Sequence, residues 1–223
     1  MSKRRVTFSK TGMGKYISHL DLLRCFTRAI QRSGLPVVYS QGFNPHQKMT
    51  FSLPLPIGVT SQCETVDIQF EDNISDKEIF EKLSENLPMD IKVLSVGEPI
   101  IKASDIVSAS YIMKVFTNGA VNKDEIISFF NEPEILVMKK TKKKGEKAVN
   151  LHDYIRSWEI AEITKNEFCL KVTLDAGGER NLKPELLSSA LGNYLKSVTV
   201  DDWDIHRTQI FRKTEDNVIE IFS

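Results

Sequence analysis

The sequence predicts an α+β chain in which one element order, β-α-β-β-α-β, runs twice. Three observations lead there. Short stretches of alternating apolar and polar residues recur ("RRVTFSK", "ETVDIQFE", "SYIMKVFT", "FCLKVTLDAGG"). Between them lie amphipathic stretches with helix start and stop residues of their own. A chain of 223 residues, 41% hydrophobic and 27% charged, is long enough for two modules of roughly 100 residues each. The plan is that of two tandem ferredoxin-like modules. Residues 1–100 form an N-terminal module with a basic loop and helix, and residues 108–214 a C-terminal module with a Lys-rich insertion.

Each element has a local reason. "RRVTFSK" alternates as a strand, and "SHLDLLRCFTRAIQRSG" carries both ends of a helix. Ser18 is its N-cap with Asp21 three residues on, and Gly34 followed by Leu35-Pro36 stops it. On a helical wheel Leu22, Leu23, Phe26, Ala29 and Ile30 gather on one side, and Arg24, Arg28 and Arg32 fall opposite. "PVVYS" and "KMTFSL" are predicted strands joined through "QGFNPHQ", and "ETVDIQFE" alternates cleanly. Ser75 caps a second helix, "SDKEIFEKLSENLP", and "DIKVLSVGEPI" is the closing strand. A linker near residues 99–108 leads to the second pass: strand "SYIMKVFT", helix "NKDEIISFFNEP" and strand "EILVMKK". Strand "FCLKVTLDAGG", helix "KPELLSSALGNYLKS" opened by Pro184, and strand "WDIHRTQIFRK" complete it. "TKKKGEKAVNLHDYIRSWEIAEI" reads as an insertion, in which "AVNLHDYI" fits a short helix or a strand. "KKTKKKGEK", six lysines around one glycine, fits a solvated hairpin tip or an added nucleic-acid contact.

The longest apolar runs fall far short of the roughly 20 residues a bilayer span requires, and "MSKRRVTFSK" lacks the apolar region of a signal peptide. The expectation is a cytoplasmic protein that does not engage a membrane. Cys25, Cys63 and Cys169 have no paired spacing and read as reduced structural thiols. There is no CxxxCxxC for an iron–sulfur cluster, and His19, His46, His152 and His206 show no HExxH spacing, so neither metal nor cofactor is predicted. The net charge of zero hides an asymmetry: residues 1–50 carry +8, 51–100 carry −7, 101–150 carry +3 and the remainder −4. The basic first segment either attracts a polyanion or is cancelled by the acidic segment folding against it.

Two stretches are candidates for chemistry. In "KTGMGKYISH", a loop loosened by Gly12 and Gly14 meets a helix start, with Lys10, Lys15 and His19 adding charge and Tyr16 and Ser18 beside them. Outward amides and the positive end of a helix suit a phosphate or carboxylate. An ordinary β-α connection is the alternative, since neither GxxxxGK[ST] nor GxGxxG is present. In "YSQGFNPHQK", Gly42, Asn44-Pro45 and His46 impose a specific turn while Tyr39 and Phe43 offer rings. Such a loop can stack on and hydrogen-bond to an unpaired base; a turn histidine that bonds a backbone carbonyl is the alternative. Arg24, Arg28 and Arg32, with only Asp21 nearby, make a basic stripe suited to phosphates or to an acidic partner protein.

Residues 4–68, with "YISHLDLLR", "SQGFNPH" and "LPLPIG" at their centre, resemble the radical-SAM-linked protein family, bacterial proteins encoded beside or fused to a radical S-adenosylmethionine protein. In the second half the resemblance rests on "KPELL" and "HRTQIF". It implies a radical S-adenosylmethionine enzyme as partner, a bacterial cytoplasm, and Tyr16, Ser18, His19, Asp21, Arg24, Gly42, Phe43, Asn44, Pro45 and His46 as defining positions. The doubled plan is also similar in outline to CRISPR repeat RNA endoribonucleases and tRNA pseudouridine synthases. Only "DAGGERN" approaches the glycine-rich loop of the former, and the RTD-type aspartate loop of the latter is absent.

The expected function is that of an accessory RNA-binding protein working with the radical enzyme in RNA modification or processing. One alternative is a subunit that contacts only that enzyme. Another is a phosphate- or nucleotide-handling enzyme with His19 and His46 as acid and base.

Overall fold

In the computed structural model, which describes residues 1–71, 74–140 and 145–222, the chain divides into two units. They are Met1–Ile106 with Arg212–Ser223, and Val107–Phe211. Both are α+β. The first runs β1 (Ser2–Lys10), α1 (His19–Ser33), β2 (Met49–Phe51), β3 (Val59–Phe70), α2 (Asp76–Asn86) and β4 (Ile91–Gly97). Its strands lie in the order β4-β1-β3 with β2 paired to β3. β1 is antiparallel to both neighbours, Val6 facing Val66 on β3 and Val96 on β4, and β2 is antiparallel to β3.

Alternation along β1 sends Val6 and Phe8 to the face that α1 and α2 cover. There they join Phe26, Ile30, Val66, Ile68, Ile79 and Leu83 in one buried cluster. α1 fits this face because Leu22, Phe26, Ala29 and Ile30 recur at helical spacing. It starts where Ser18 accepts from the Asp21 amide and stops at Gly34 in the left-handed region (φ 66°). α2 begins in the same way, with Ser75 accepting from the Glu78 amide. On the opposite face of β1 the buried Arg5 holds Asp67 of β3 through Nε at 2.8 Å and donates to the Ile101 carbonyl at 2.7 Å.

The second unit runs β5 (Ile106–Thr117), α3 (Lys123–Asn131), β6 (Leu136–Lys140), β7 (Glu146–Asn150), β8 (Ile155–Ile163), β9 (Glu167–Asp175), α4 (Pro184–Tyr194) and β10 (Val200–Lys213). Its sheet has the order β10-β5-β9-β8, while β6 and β7 form a two-stranded sheet of their own. Ala109, Tyr111, Met113 and Val115 of β5 and Phe168, Leu170, Val172 and Leu174 of β9 are buried at alternate positions, as are Phe129, Leu187 and Leu191 of the helices. After β10 the chain turns at Thr214–Val218 into β11 (Ile219–Ile221), part of the first unit, and Phe222 (3% exposed) packs its ring 4.4 Å from the Arg5 guanidinium.

Three elements differ from the sequence expectation. "PVVYS" is not a strand: it makes two isolated bridges, Val37 to Phe70 and Tyr39 to Gln47. "EILVMKK" is extended but pairs with β7 in the separate hairpin. The strand beside β9 is β8, which lies inside the stretch read as an insertion. Its alternation is broken by register shifts at Ile155/Ser157 and Ile160/Glu162, which erase the period of two that marks a strand. "AVNLHDYI" is both things in turn, the end of β7 and then a 3-10 turn, Leu151–Tyr154. Part of the Lys-rich tip, residues 141–144, lies outside the described residues.

Candidate functional site

The Gly12–Tyr16 stretch is a 3-10 turn rather than an open loop. Its amides are used internally, Gly14 N donating to the Thr11 carbonyl and Ile17 N to the Gly14 carbonyl. The two glycines serve close packing: a Cβ on Gly12 (φ +51°) would stand 2.6 Å from Asp90 Oδ1, and one on Gly14 3.2 Å from Asp90 Cβ. A carboxylate thus lies against the turn where an anion had been expected, and it repels one. Lys10 is also not presented to a ligand, being 1% exposed with Nζ donating to the Ile17 carbonyl. Lys15 leans over the ring of the exposed Tyr16, 5.4 Å from its centroid.

The α1 N-terminus is likewise filled by its own side chains. Ser18 Oγ accepts from Asp21 N at 3.1 Å and donates to Asp21 Oδ2 at 2.7 Å, while Arg24 Nη1 donates to Asp21 Oδ1 at 3.0 Å. These contacts hold the Asp21 carboxyl below its ordinary value, the Ser18 hydroxyl contributing most. His19 is exposed and meets Phe51 of β2 edge-on at 5.2 Å.

"YSQGFNPHQK" forms the more distinctive arrangement. Its neck is closed by three contacts between two residues: Ser40 N donates to the His46 carbonyl (2.8 Å), His46 N donates to Ser40 Oγ (3.1 Å), and Ser40 Oγ meets His46 Nδ1 at 2.8 Å. Gly42, at φ 129°, takes a conformation that side chains disfavour. At the tip, Phe43 is wholly exposed, and Gly42, Asn44 and Pro45 are exposed beside it. Gln47 anchors the foot, its Nε2 donating to Tyr39 Oη at 3.3 Å and to the Thr27 carbonyl of α1 at 3.4 Å. Gln47 is 5% exposed, yet its Oε1 has no hydrogen-bond partner among the described residues. Beside the foot runs a groove of about 280 Å³ lined by Lys3, His46, Gln47, Lys48, Thr50 and Asp67.

The arginine stripe divides. Arg24 is engaged by Asp21, and Arg32 donates to the Asn86 carbonyl at the end of α2. Arg28 is exposed and makes no hydrogen bond or ion pair among the described residues. The acidic segment does cancel the cations of β1: Arg4 pairs with Asp76 (2.7 Å), while Arg5 and Lys3 share Asp67 (2.8 and 3.0 Å). His19 and His46 are held by different elements, and no hydrogen bond joins them among the described residues. Sequence reasoning passed over Lys3, Gln47, Lys48 and Thr50 as a set, because only the pairing of β1, β2 and β3 brings them to one groove.

In the second unit "DAGGERN" closes around a shared carboxylate. Asp175 accepts from Arg156 Nε and Arg180 Nε, both at 2.6 Å, and Arg180 lies 4.8 Å from the Tyr154 ring centroid. His152 bonds the Glu132 carbonyl through Nε2 at 2.6 Å, a structural contact, and burial holds the His206 ring below its ordinary value.

Several solved structures share the fold. A chain of "Crystal Structure of a Cbf5-Nop10-Gar1 Complex" matches 95% of this chain with 13% identity and a TM-score of 0.54. A chain of "Structure of H/ACA RNP bound to a substrate RNA containing 2'-deoxyuridine" matches 96% with 13% identity and a TM-score of 0.53. A chain of "Crystal structure of the archaeal box H/ACA sRNP Nop10-Cbf5 complex" matches 92% with 12% identity and a TM-score of 0.50. The present chain spans 50%, 50% and 46% of those chains, so the likeness is one of fold. No curated protein matches in sequence. A family match does exist and covers residues 3–184, so the chain belongs to the bacterial family described as "Uncharacterized protein conserved in bacteria (DUF2344)".

Proposed function

We propose that the protein binds RNA through the Phe43 loop and the groove at its foot. The observation that carries this reading is a wholly exposed phenylalanine at the tip of a loop clamped by Ser40 and His46, beside a groove with the exposed Lys48 in its lining. Exposing a phenyl ring is unfavourable, and clamping the loop that bears it restricts the chain further; both are offset when the ring stacks on a base. Lys48, exposed beside it, suits a backbone phosphate. Tyr39, His46 and Arg28 extend the surface, whereas Lys10, Gly12, Gly14 and the capped Ser18 make their contacts elsewhere in the first unit. Two of the structures that share the fold are H/ACA RNA-protein particles by name, one of them bound to a substrate RNA, which fits this reading.

In this proposal each unit is a ferredoxin-like module: the orders β4-β1-β3-β2 and β10-β5-β9-β8 both support that topology. Residues 1–100 carry the RNA contacts and residues 108–214 form the second module. The resemblance of residues 4–68 supports a radical S-adenosylmethionine enzyme as the protein to which the RNA is presented, in the bacterial cytoplasm. Among the described residues no helix is long and apolar enough to cross a membrane.

The test is fluorescence anisotropy with a labelled single-stranded RNA of about 12 nucleotides, the scale of one such binding site. Phe43→Ala is expected to weaken binding about tenfold, as loss of one stacked base does, with no change in thermal stability. The wild-type affinity should fall with salt at a log–log slope of about −1.4, as expected for two phosphates neutralised by Lys48 and Arg28. Unchanged affinity in the variant, or none in the wild type, sinks the proposal. A second reading, contact with a protein alone, is favoured by Met13, Tyr16, Leu20 and Ile57, exposed apolar residues on or beside the first turn. It predicts an association with the enzyme that survives nuclease treatment.

A further inference from the structure

The hairpin β6–β7 stands as a sheet of its own, and the outer edge of β6 borders a groove. Leu151 N donates to the Ile135 carbonyl, and the register continues Leu136 with Asn150, Val137 with Val149 and Met138 with Ala148. In an antiparallel ladder, hydrogen-bonded and non-bonded pairs alternate. Ile135 and Val137 therefore point their N–H and C=O groups at β7, and Leu136 and Met138 point theirs away from it. No other strand pairs with β6 among the described residues. The Leu136 and Met138 side chains are also uncovered, at 61% and 55% exposed. An edge with unpaired backbone groups and exposed apolar side chains is a template for another strand.

The opposite wall is α4. Leu186, Ser189, Ala190 and Asn193, one helical face, line the groove together with the whole of Glu134–Met138, and the space between is about 650 Å³. Ser189 and Ala190 are small, so the helix does not fill the space beside the strand edge. The charged residues in the lining are Glu132 and Glu134, with no Lys or Arg among them. Glu132 is kept at the rim by Tyr194, whose hydroxyl donates to Oε1 at 2.6 Å.

We propose that this groove takes an extended segment of a partner protein, which adds to β6 as a third strand and lies against α4. The outward backbone groups of Leu136 and Met138 require an extended guest, the exposed side chains favour apolar residues at alternate positions, and the two carboxylates select lysine or arginine between them. This site is independent of the RNA reading, being built wholly from the second unit.

The test measures amide hydrogen exchange and binding on the full chain. The probe is a peptide of about ten residues, enough to span one strand, alternating valine and lysine; the control alternates valine and glutamate. The lysine peptide is expected to slow exchange at the Leu136 and Met138 amides about tenfold, a 1.4 kcal/mol effect. It should bind less tightly in high salt, and less tightly to Glu134→Lys, a change at an exposed residue. The glutamate peptide should protect neither amide. The proposal is overturned if neither amide is protected at millimolar peptide, if the two peptides act alike, or if Glu134→Lys leaves binding unchanged. It is also overturned if both amides become protected without peptide as the chain is concentrated, since a second copy would then cover the edge.

Discussion

Ser18 shows how much one side chain can organise. Its hydroxyl caps α1 and fixes Asp21, which in turn holds Arg24. Ser18→Ala should cost about 1 kcal/mol, the usual loss for an N-cap, measured by urea unfolding. The same contacts set a pH dependence. Because the folded Asp21 carboxyl lies below its unfolded value, the stability it contributes is complete above the unfolded value and lost as pH falls through the lowered one. Asp21→Asn is therefore expected to make thermal stability less sensitive to acid below about pH 4, with little effect near neutrality. Both residues were legible in the sequence, since a cap and an i,i+3 pair need only local neighbours. Gln47 was not, because its buried amide is anchored on the Thr27 carbonyl of α1, 20 positions away.

At the scale of elements, the glycine turn and the clamped loop are opposites. The turn is packed tightly against Asp90, so Gly14→Ala should destabilise the chain by about 1 kcal/mol or more, as overpacking does. Asp90→Gly in the same chain removes the Cβ that the new methyl meets and should restore part of the loss, read from urea midpoints. The loop makes its contacts at neck and foot, so changes at its tip should alter binding and leave unfolding unchanged. Sequence reasoning finds the loop, since Gly, Asn-Pro and His in one turn are distinctive, but it leaves the glycines at 12 and 14 open between an anion cradle and an ordinary β-α connection. The residue that explains them is 76 to 78 positions away. β8 escaped for a different reason: its register shifts shuffle which side chains face inward, and the pattern no longer repeats every second residue.

For the whole molecule, the C-terminal return is decisive for the first unit. Phe222 is 3% exposed and covers the buried Arg5–Asp67 pair. Phe222→Ala should cost about 3–5 kcal/mol, the range for deleting a buried phenyl group, with the loss read from urea unfolding. By itself the sequence determined what depends on neighbours a few positions apart: helix caps, apolar faces, the shape of a turn, the alternating strands. Only the tertiary structure decided which cations stay available and which strand edge stays open. Arg5 meets Asp67 across 62 positions and Arg4 meets Asp76 across 72. Electrostatic pairing follows distance in space, and chain folding sets that distance independently of separation along the sequence.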